Sequence, residues 1–239
     1  SGSGFIDSAD GIRFRCKDFV TGNIFISAKA TFVSENEIVV ITTAYPYDLG
    51  NRIKADSELS VSMNDGIDFS QPAADPFAWY RVPTLNEIQP PLGPRLGETA
   101  TSLLGDGFVE LRGVAKCRFG DVVTQAVYSD NSMAGAPMFQ CKSPPWPVPD
   151  WVSVEIAMDG QVFTNAKSVK FQYYGEFDVT FATPTGGPKA GGTEVTITGV
   201  GFFMSGTYLS CFFGDGNIEC SEDVLYSVES PCYKPVPAA

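Results

Sequence analysis

Histidine is missing altogether from the 239 residues of the chain. Every Ser-His-Asp and Cys-His nucleophile arrangement is excluded with it, and so is the commonest metal ligand. The six cysteines never fall in C-x-x-C, which argues against zinc ribbons and thioredoxin-type redox motifs. No apolar run is long enough to span a bilayer, and no Asn-x-Ser/Thr sequon occurs. Positive charge is scarce: 16 Lys and Arg stand against 28 Asp and Glu, a net charge of −12. Nucleic-acid binding rests on neutralising phosphates, so a nucleic-acid partner is not expected, and neither is unaided docking on an anionic membrane. No phosphate loop, nucleophile motif or supported carboxylate pair is present, so no catalytic, cofactor-binding or metal residues are assigned. Asn64-Asp65-Gly66-Ile67-Asp68 and Asp215-Gly216-Asn217 look like pieces of a calcium loop. They lack the spacing and terminal Glu of an EF-hand and read as turns.

What is present is repetition. Residues 93–108 read GPRLGETATSLLGDGF, and residues 187–202 read GPKAGGTEVTITGVGF. Gly93-Pro94, Thr99 and Gly107-Phe108 line up with Gly187-Pro188, Thr193 and Gly201-Phe202. After each Phe comes Cys-x-Phe-Gly, at Cys117–Gly120 and Cys211–Gly214, and then Cys-x-x-Pro, at Cys141–Pro144 and Cys232–Pro235. The N-terminus carries Gly2-Ser3-Gly4-Phe5 and then Arg13-Phe14-Arg15-Cys16. Val61 to Gly66, Phe69 and Trp79-Tyr80 parallel Val154 to Gly160, Phe163 and Tyr173-Tyr174. Three copies at domain-sized spacing make the chain an array of one small unit. Its expected divisions are 1–84, 85–175 and 176–239, with the first and last copies incomplete. The ragged ends read as the edges of a longer array, a mature or trimmed ectodomain fragment. The rival reading has neighbouring chains supply the missing strands.

Each copy reads as β. Val152, Val154 and Ile156 alternate with polar neighbours, as do Val169, Phe171 and Tyr173, and Val195 and Ile197. A period of two sends one row of side chains to a core and the other to water. Asp65-Gly66 and Asp159-Gly160 predict two-residue hairpins. The glycines of Gly-x-Gly-Phe are expected to bend a strand so that the Phe enters the core. Short strands and regular turns predict a seven-strand sandwich per unit.

The order Gly-Pro-x-x-Gly-Gly-Thr, Gly-x-Gly-Phe, Cys-x-Phe-Gly, Cys-x-x-Pro resembles the IPT/TIG family of immunoglobulin-like domains, found in plexins, fibrocystin-like proteins and many surface proteins. The resemblance implies tandem immunoglobulin-like, E-set β-sandwiches used for adhesion, ligand binding or spacing. By repeat equivalence Cys117 pairs with Cys141, and Cys211 with Cys232. Cys220 is a rival to Cys211 as the partner of Cys232. Thr43 stands where the partner of Cys16 is expected, which leaves Cys16 as a buried thiol or a bridge to another chain. Disulfides suit an oxidising compartment.

The function expected is a non-catalytic extracellular structural or adhesion module, a stiff rod within a longer surface or filament protein. The alternatives are the ligand-binding ectodomain of a signalling receptor and an accessory domain of a larger enzyme. Partners would be other protein chains or neighbouring repeats, and possibly glycans. Two surfaces are candidates for contact. Arg13, Arg15 and Lys17 alternate with buried-type residues and present one cationic strand face. Trp146 and Trp151 lie in the stiff stretch Pro144-Pro-Trp-Pro-Val-Pro-Asp-Trp151, which could expose an aromatic surface or cap a sandwich.

Overall fold

Alternation in the central third of the chain produces strands wherever it occurs. The computed structural model describes residues 4–7, 11–26, 29–130, 136–203, 210–211 and 236–237. Regular structure among the described residues is entirely β. The chain divides into two compact units, residues 1–174 and 175–239.

The second repeat is the most complete. Its strands are β7 (Thr84–Gln89), β8 (Leu92–Pro94), β9 (Ala100–Asp106), β10 (Lys116–Phe119), β11 (Val122–Ser129), β12 (Met138–Lys142), β13 (Asp150–Ala157) and β14 (Lys170–Tyr174). They form one hydrogen-bonded sequence, β7-β9-β12-β11-β10-β13-β14-β8, folded over a single core. Leu85, Leu103 and Phe139 come from one layer, and Phe119, Val154, Ile156 and Phe171 from the other. Among the described residues there are eight strands here rather than seven. Pro90 and Pro91 interrupt the opening strand, so β7 pairs with β9 while β8 crosses to pair in parallel with β14. The Gly-x-Gly-Phe motif behaves as its composition requires. A Cβ on Gly105 would sit 2.0 Å from the Thr84 carbonyl oxygen, Gly107 has φ +77°, and Phe108 is buried.

The first repeat builds a smaller sheet, β2-β1-β5-β6, from β1 (Arg13–Asp18), β2 (Ile24–Ile26), β5 (Lys54–Ser62) and β6 (Phe77–Tyr80). A separate hairpin joins β3 (Thr31–Ser34) to β4 (Glu37–Val39). Phe14, Cys16, Ala55 and Trp79 form its core, with Phe25, Tyr45 and Leu49 packed against them. This cluster is distinct from that of the second repeat.

In the second unit, β15 (Asp178–Thr183) pairs with β16 (Thr196–Val200), and β17 (Ser210–Cys211) with β18 (Val236–Pro237). Gly199 repeats the close approach of Gly105: a Cβ added to it would sit 2.0 Å from the Asp178 carbonyl oxygen.

The two-residue hairpins are not formed. Asp65 and Gly66 do take positive φ, 60° and 90°, yet β5 ends at Ser62 and β6 begins only at Phe77. Likewise β13 ends at Ala157 and β14 begins at Lys170. Side chains hold both Asp-Gly turns inside wider loops. Ser62 Oγ accepts from the Gly66 amide at 2.9 Å, and Asp159 Oδ1 accepts from the amides of Gln161 and Val162 at 2.9 and 2.8 Å.

Candidate functional site

Strand β6 is where the first two repeats meet. Alternation sends Trp79 into the small core, while Tyr80, on the other face, packs against the core of the second repeat. The Tyr80 hydroxyl bonds Asp159, and burial first, then that carboxylate, raises its phenol above the usual range. Arg112 reaches across to Asp75 at 2.6 Å on the exposed side of the same junction. Beside the Tyr80–Asp159 tie lies a cleft of roughly 230 Å³, bordered by Phe77 through Tyr80, Val82, Asp159 and Val162. Four consecutive strand residues line it although they face alternately. The cleft therefore runs along the edge of β6 rather than over one face.

Behind β6 the core contains two ionisable groups. Asp18 is 1% exposed. Burial opposes its charge, but the amides of Thr21 and Val20, the Tyr45 hydroxyl and the Arg52 guanidinium outweigh that penalty and hold its carboxyl well below the usual carboxylate range. Tyr45 donates at 2.7 Å and Arg52 lies 3.1 Å away. Cys16 is fully buried and its thiol is pushed up to about 11 by burial, the Trp79 indole acting in the opposite sense. Rings of Phe25, Tyr45 and Trp79 meet edge-on or tilted beside this pair at centroid distances of 5.4–5.8 Å.

The residues singled out in the sequence are dispersed. Arg13, Arg15 and Lys17 share the outer face of β1, but only Lys17 is exposed, the two arginines being half-buried. Arg13 pairs with Asp65 at 2.7 Å, and Arg15 lies over the Phe69 ring at 4.4 Å. The strand thus shows one open charge rather than three. Trp146 and Trp151 do not share a surface. Trp146 is half-buried and stacks on Tyr173 at 5.6 Å with an interplanar angle of 11°. Tyr173 in turn donates to the Pro144 carbonyl at 2.8 Å, so this Trp caps the sandwich. Trp151 points outward and is 53% exposed. Cys117 and Cys141 are joined by a disulfide that links β10 to β12. The pairing of Cys211 with Cys232, and the place of Cys220, lie outside the described residues. Cys16 sits in the core, and Thr43 is exposed in an irregular segment.

Sequence reasoning missed the Asp18–Tyr45–Arg52 cluster and the Tyr80–Asp159 tie. It also missed Arg118, which pairs with Glu155 through Nε at 2.8 Å and lies over Phe163 at 4.3 Å. Register could have flagged Asp18, since it stands two residues beyond Cys16 on the inward row of β1. Among the described residues no cluster of three His, Cys, Asp or Glu side chains could hold a metal ion. No helix of the described residues is long and apolar enough to cross a membrane.

Two β layers closed over one core across residues 84–174, with a smaller sheet and a second core ahead of them, have the architecture of an immunoglobulin-like module. The profile of the IPT/TIG domain family matches residues 83–173 and 179–231, and the chain belongs to that family. No curated protein matches it. Among solved structures it is similar to the plexin A4 full extracellular region, at 19% identity and a TM-score of 0.32, over 82% of this chain and 25% of that one. The chain spans about a quarter of that structure's length. IPT/TIG domains are generally binding or structural modules, not catalysts.

Proposed function

We propose that this chain is a stretch of an extracellular rod, three immunoglobulin-like modules at 1–84, 85–175 and 176–239 whose work is structural and adhesive. The observation that carries this reading is the junction at β6. A hydroxyl-to-carboxylate tie, a 2.6 Å ion pair and the packing of Tyr80 on the neighbouring core together gather residues 1–174 into one compact unit. A linker that contributes side chains to both of its neighbours transmits bending load, whereas a Gly/Ser tether does not. The Cys117–Cys141 disulfide supports an oxidising setting. Partners on this reading are neighbouring modules or other protein chains; glycans would be secondary contacts at exposed aromatic positions such as Trp151.

The test is topological. An antibody against residues 85–175 should label intact, unpermeabilised cells, and non-reducing peptide mapping of native material should recover Cys117 linked to Cys141. Staining that requires permeabilisation, together with free thiols at both positions, would overturn the extracellular assignment.

A further inference from the structure

The stretch Asp159-Gly160-Gln161-Val162-Phe163-Thr164 has a counterpart in the first repeat, Asp65-Gly66-Ile67-Asp68-Phe69-Ser70. Each lies just beyond the strand that faces the cysteine of its repeat, β13 or β5. The two are fastened alike. The Thr164 amide donates to the Ile156 carbonyl at 2.9 Å, and Thr164 Oγ1 accepts from the Ile156 amide at 3.1 Å. The Ser70 amide donates to the Val61 carbonyl at 2.8 Å, and Ser70 Oγ accepts from the Val61 amide at 3.0 Å. The ring before each hydroxyl lies under a guanidinium of the adjacent strand, Phe163 under Arg118 at 4.3 Å and Phe69 under Arg15 at 4.4 Å. Glu155 accepts from Arg118 Nε at 2.8 Å, so that cation is itself held.

Register shows that ring and hydroxyl act together. Cys16 lies opposite Leu59 and Cys117 opposite Ile156, so Leu59 is the equivalent of Ile156 and Lys17 that of Arg118. The first repeat uses Val61 and Arg15 instead. Each is displaced by one side-chain period, in opposite chain directions, as an antiparallel pair requires. The frame has therefore moved as a unit.

What the frame presents differs between the repeats. Asp65 turns to its own sheet and pairs with Arg13 at 2.7 Å, whereas Asp159 bonds the Tyr80 hydroxyl of the preceding module. Because the same frame carries an aspartate with either kind of partner, each module builds it without help from the junction. In the second repeat it also walls the β6 cleft through Val162, Phe163 and Thr164. A Cβ on Gly160 would sit 2.5 Å from the Val114 carbonyl oxygen, so the turn is seated against its own module.

We propose that Arg118, Phe163 and Thr164 are positioning residues for the joint: they hold the 158–169 loop as a preformed socket for β6, and that socket, rather than the connecting residues 81–83, sets the angle between the first two modules. A loop already ordered loses less conformational entropy on capturing its neighbour than a mobile one. Arg118 does not border the cleft and acts through the Phe163 ring. The inference deepens the rod reading, which takes the joint to be stiff, but it concerns a contact inside the chain and is independent of where the protein resides.

The experiment follows limited trypsin digestion of the full chain, reading cleavage after Arg81 for the joint and after Lys142 for the fold of the second module. Phe163→Leu, Thr164→Val and Arg118→Gln should each speed cleavage after Arg81 several-fold and leave that after Lys142 unchanged. Phe163→Tyr, which keeps a ring under Arg118, should match the parent. In a chain that already carries Tyr80→Ala, none of the three should add a further increase, since they act through the same contact. Parental cleavage after Arg81 in Phe163→Leu and Arg118→Gln would overturn the proposal. So would effects that multiply with Tyr80→Ala, or faster cleavage after Lys142 in step with Arg81 in all three variants, which would assign these residues to the module's fold. Any of these results leaves the extracellular assignment standing on its own test of staining and disulfide mapping.

Discussion

Asp18 occupies the place that Phe119 holds in the next repeat: each lies two residues past the equivalent cysteine, with Asp18 opposite Ser57 and Phe119 opposite Val154. A carboxylate and a hydroxyl thus replace two apolar side chains, and the small core is fastened by a polar knot. Asp18 is buried and leans partly on Arg52, so Arg52→Met should lower the urea midpoint of the first repeat, while the Val20 and Thr21 amides and Tyr45 go on bonding the carboxylate. The pH dependence follows in sign. A carboxyl whose folded pKa is lowered contributes stability that is present above its unfolded value, about 3.9, and withdrawn as pH falls through that value toward the folded one. The first repeat should therefore weaken below about pH 4, and Asp18→Asn, though less stable at neutral pH, should show a flatter acid limb. Cys16 offers an independent check. Buried and with a raised pKa, it should resist iodoacetamide in the native chain and alkylate only on unfolding, as peptide mapping would show. Rapid native labelling would mean that the core is open.

Strand assignments were legible from alternation alone because inward rows such as Val152, Val154 and Ile156 are uninterrupted. Loop lengths were not. Asp-Gly reports a local positive φ, and nothing in the pair reveals that Ser62 and Asn64, or Asp159, will hold it within a longer excursion. The split of the opening strand was equally hidden, since Pro90-Pro91 announces a break without saying which sheet takes the remainder. The glycine motif is the clearest case of sequence dictating geometry. Gly105 and Gly199 approach a carbonyl oxygen equally closely, and each lies 2.8 Å, measured from an added Cβ, from the ring of its motif's Phe. Gly105→Ala would force β7 from β9, and a loss of about 3 kcal/mol is expected in thermal or urea unfolding. A neutral result would show that the strands can part without cost.

At the scale of the molecule, repetition and acidity were visible at once, but the means by which one module grips the next was not. Tyr80 reads as an ordinary strand aromatic and Asp159 as a turn residue; only their meeting makes a joint. Tyr80→Ala should therefore loosen the junction without unfolding either repeat. Limited trypsin digestion should then cut several-fold faster after Arg81, while the melting of the second repeat stays within about 1 kcal/mol of the parent. Unchanged cleavage would mean that Arg112–Asp75 alone suffices.

The covalent link between β10 and β12 sets a length as well as a stability. Its two cysteines are separated by 24 positions, and a chain pulled from its ends cannot pay out the polypeptide enclosed between them. At up to ~3.5 Å per extended residue, that enclosure withholds roughly 80 Å. Stretched singly in an optical trap, the second module should lengthen by that increment when a reductant is added, and its reach under tension is thus set by the redox state around it.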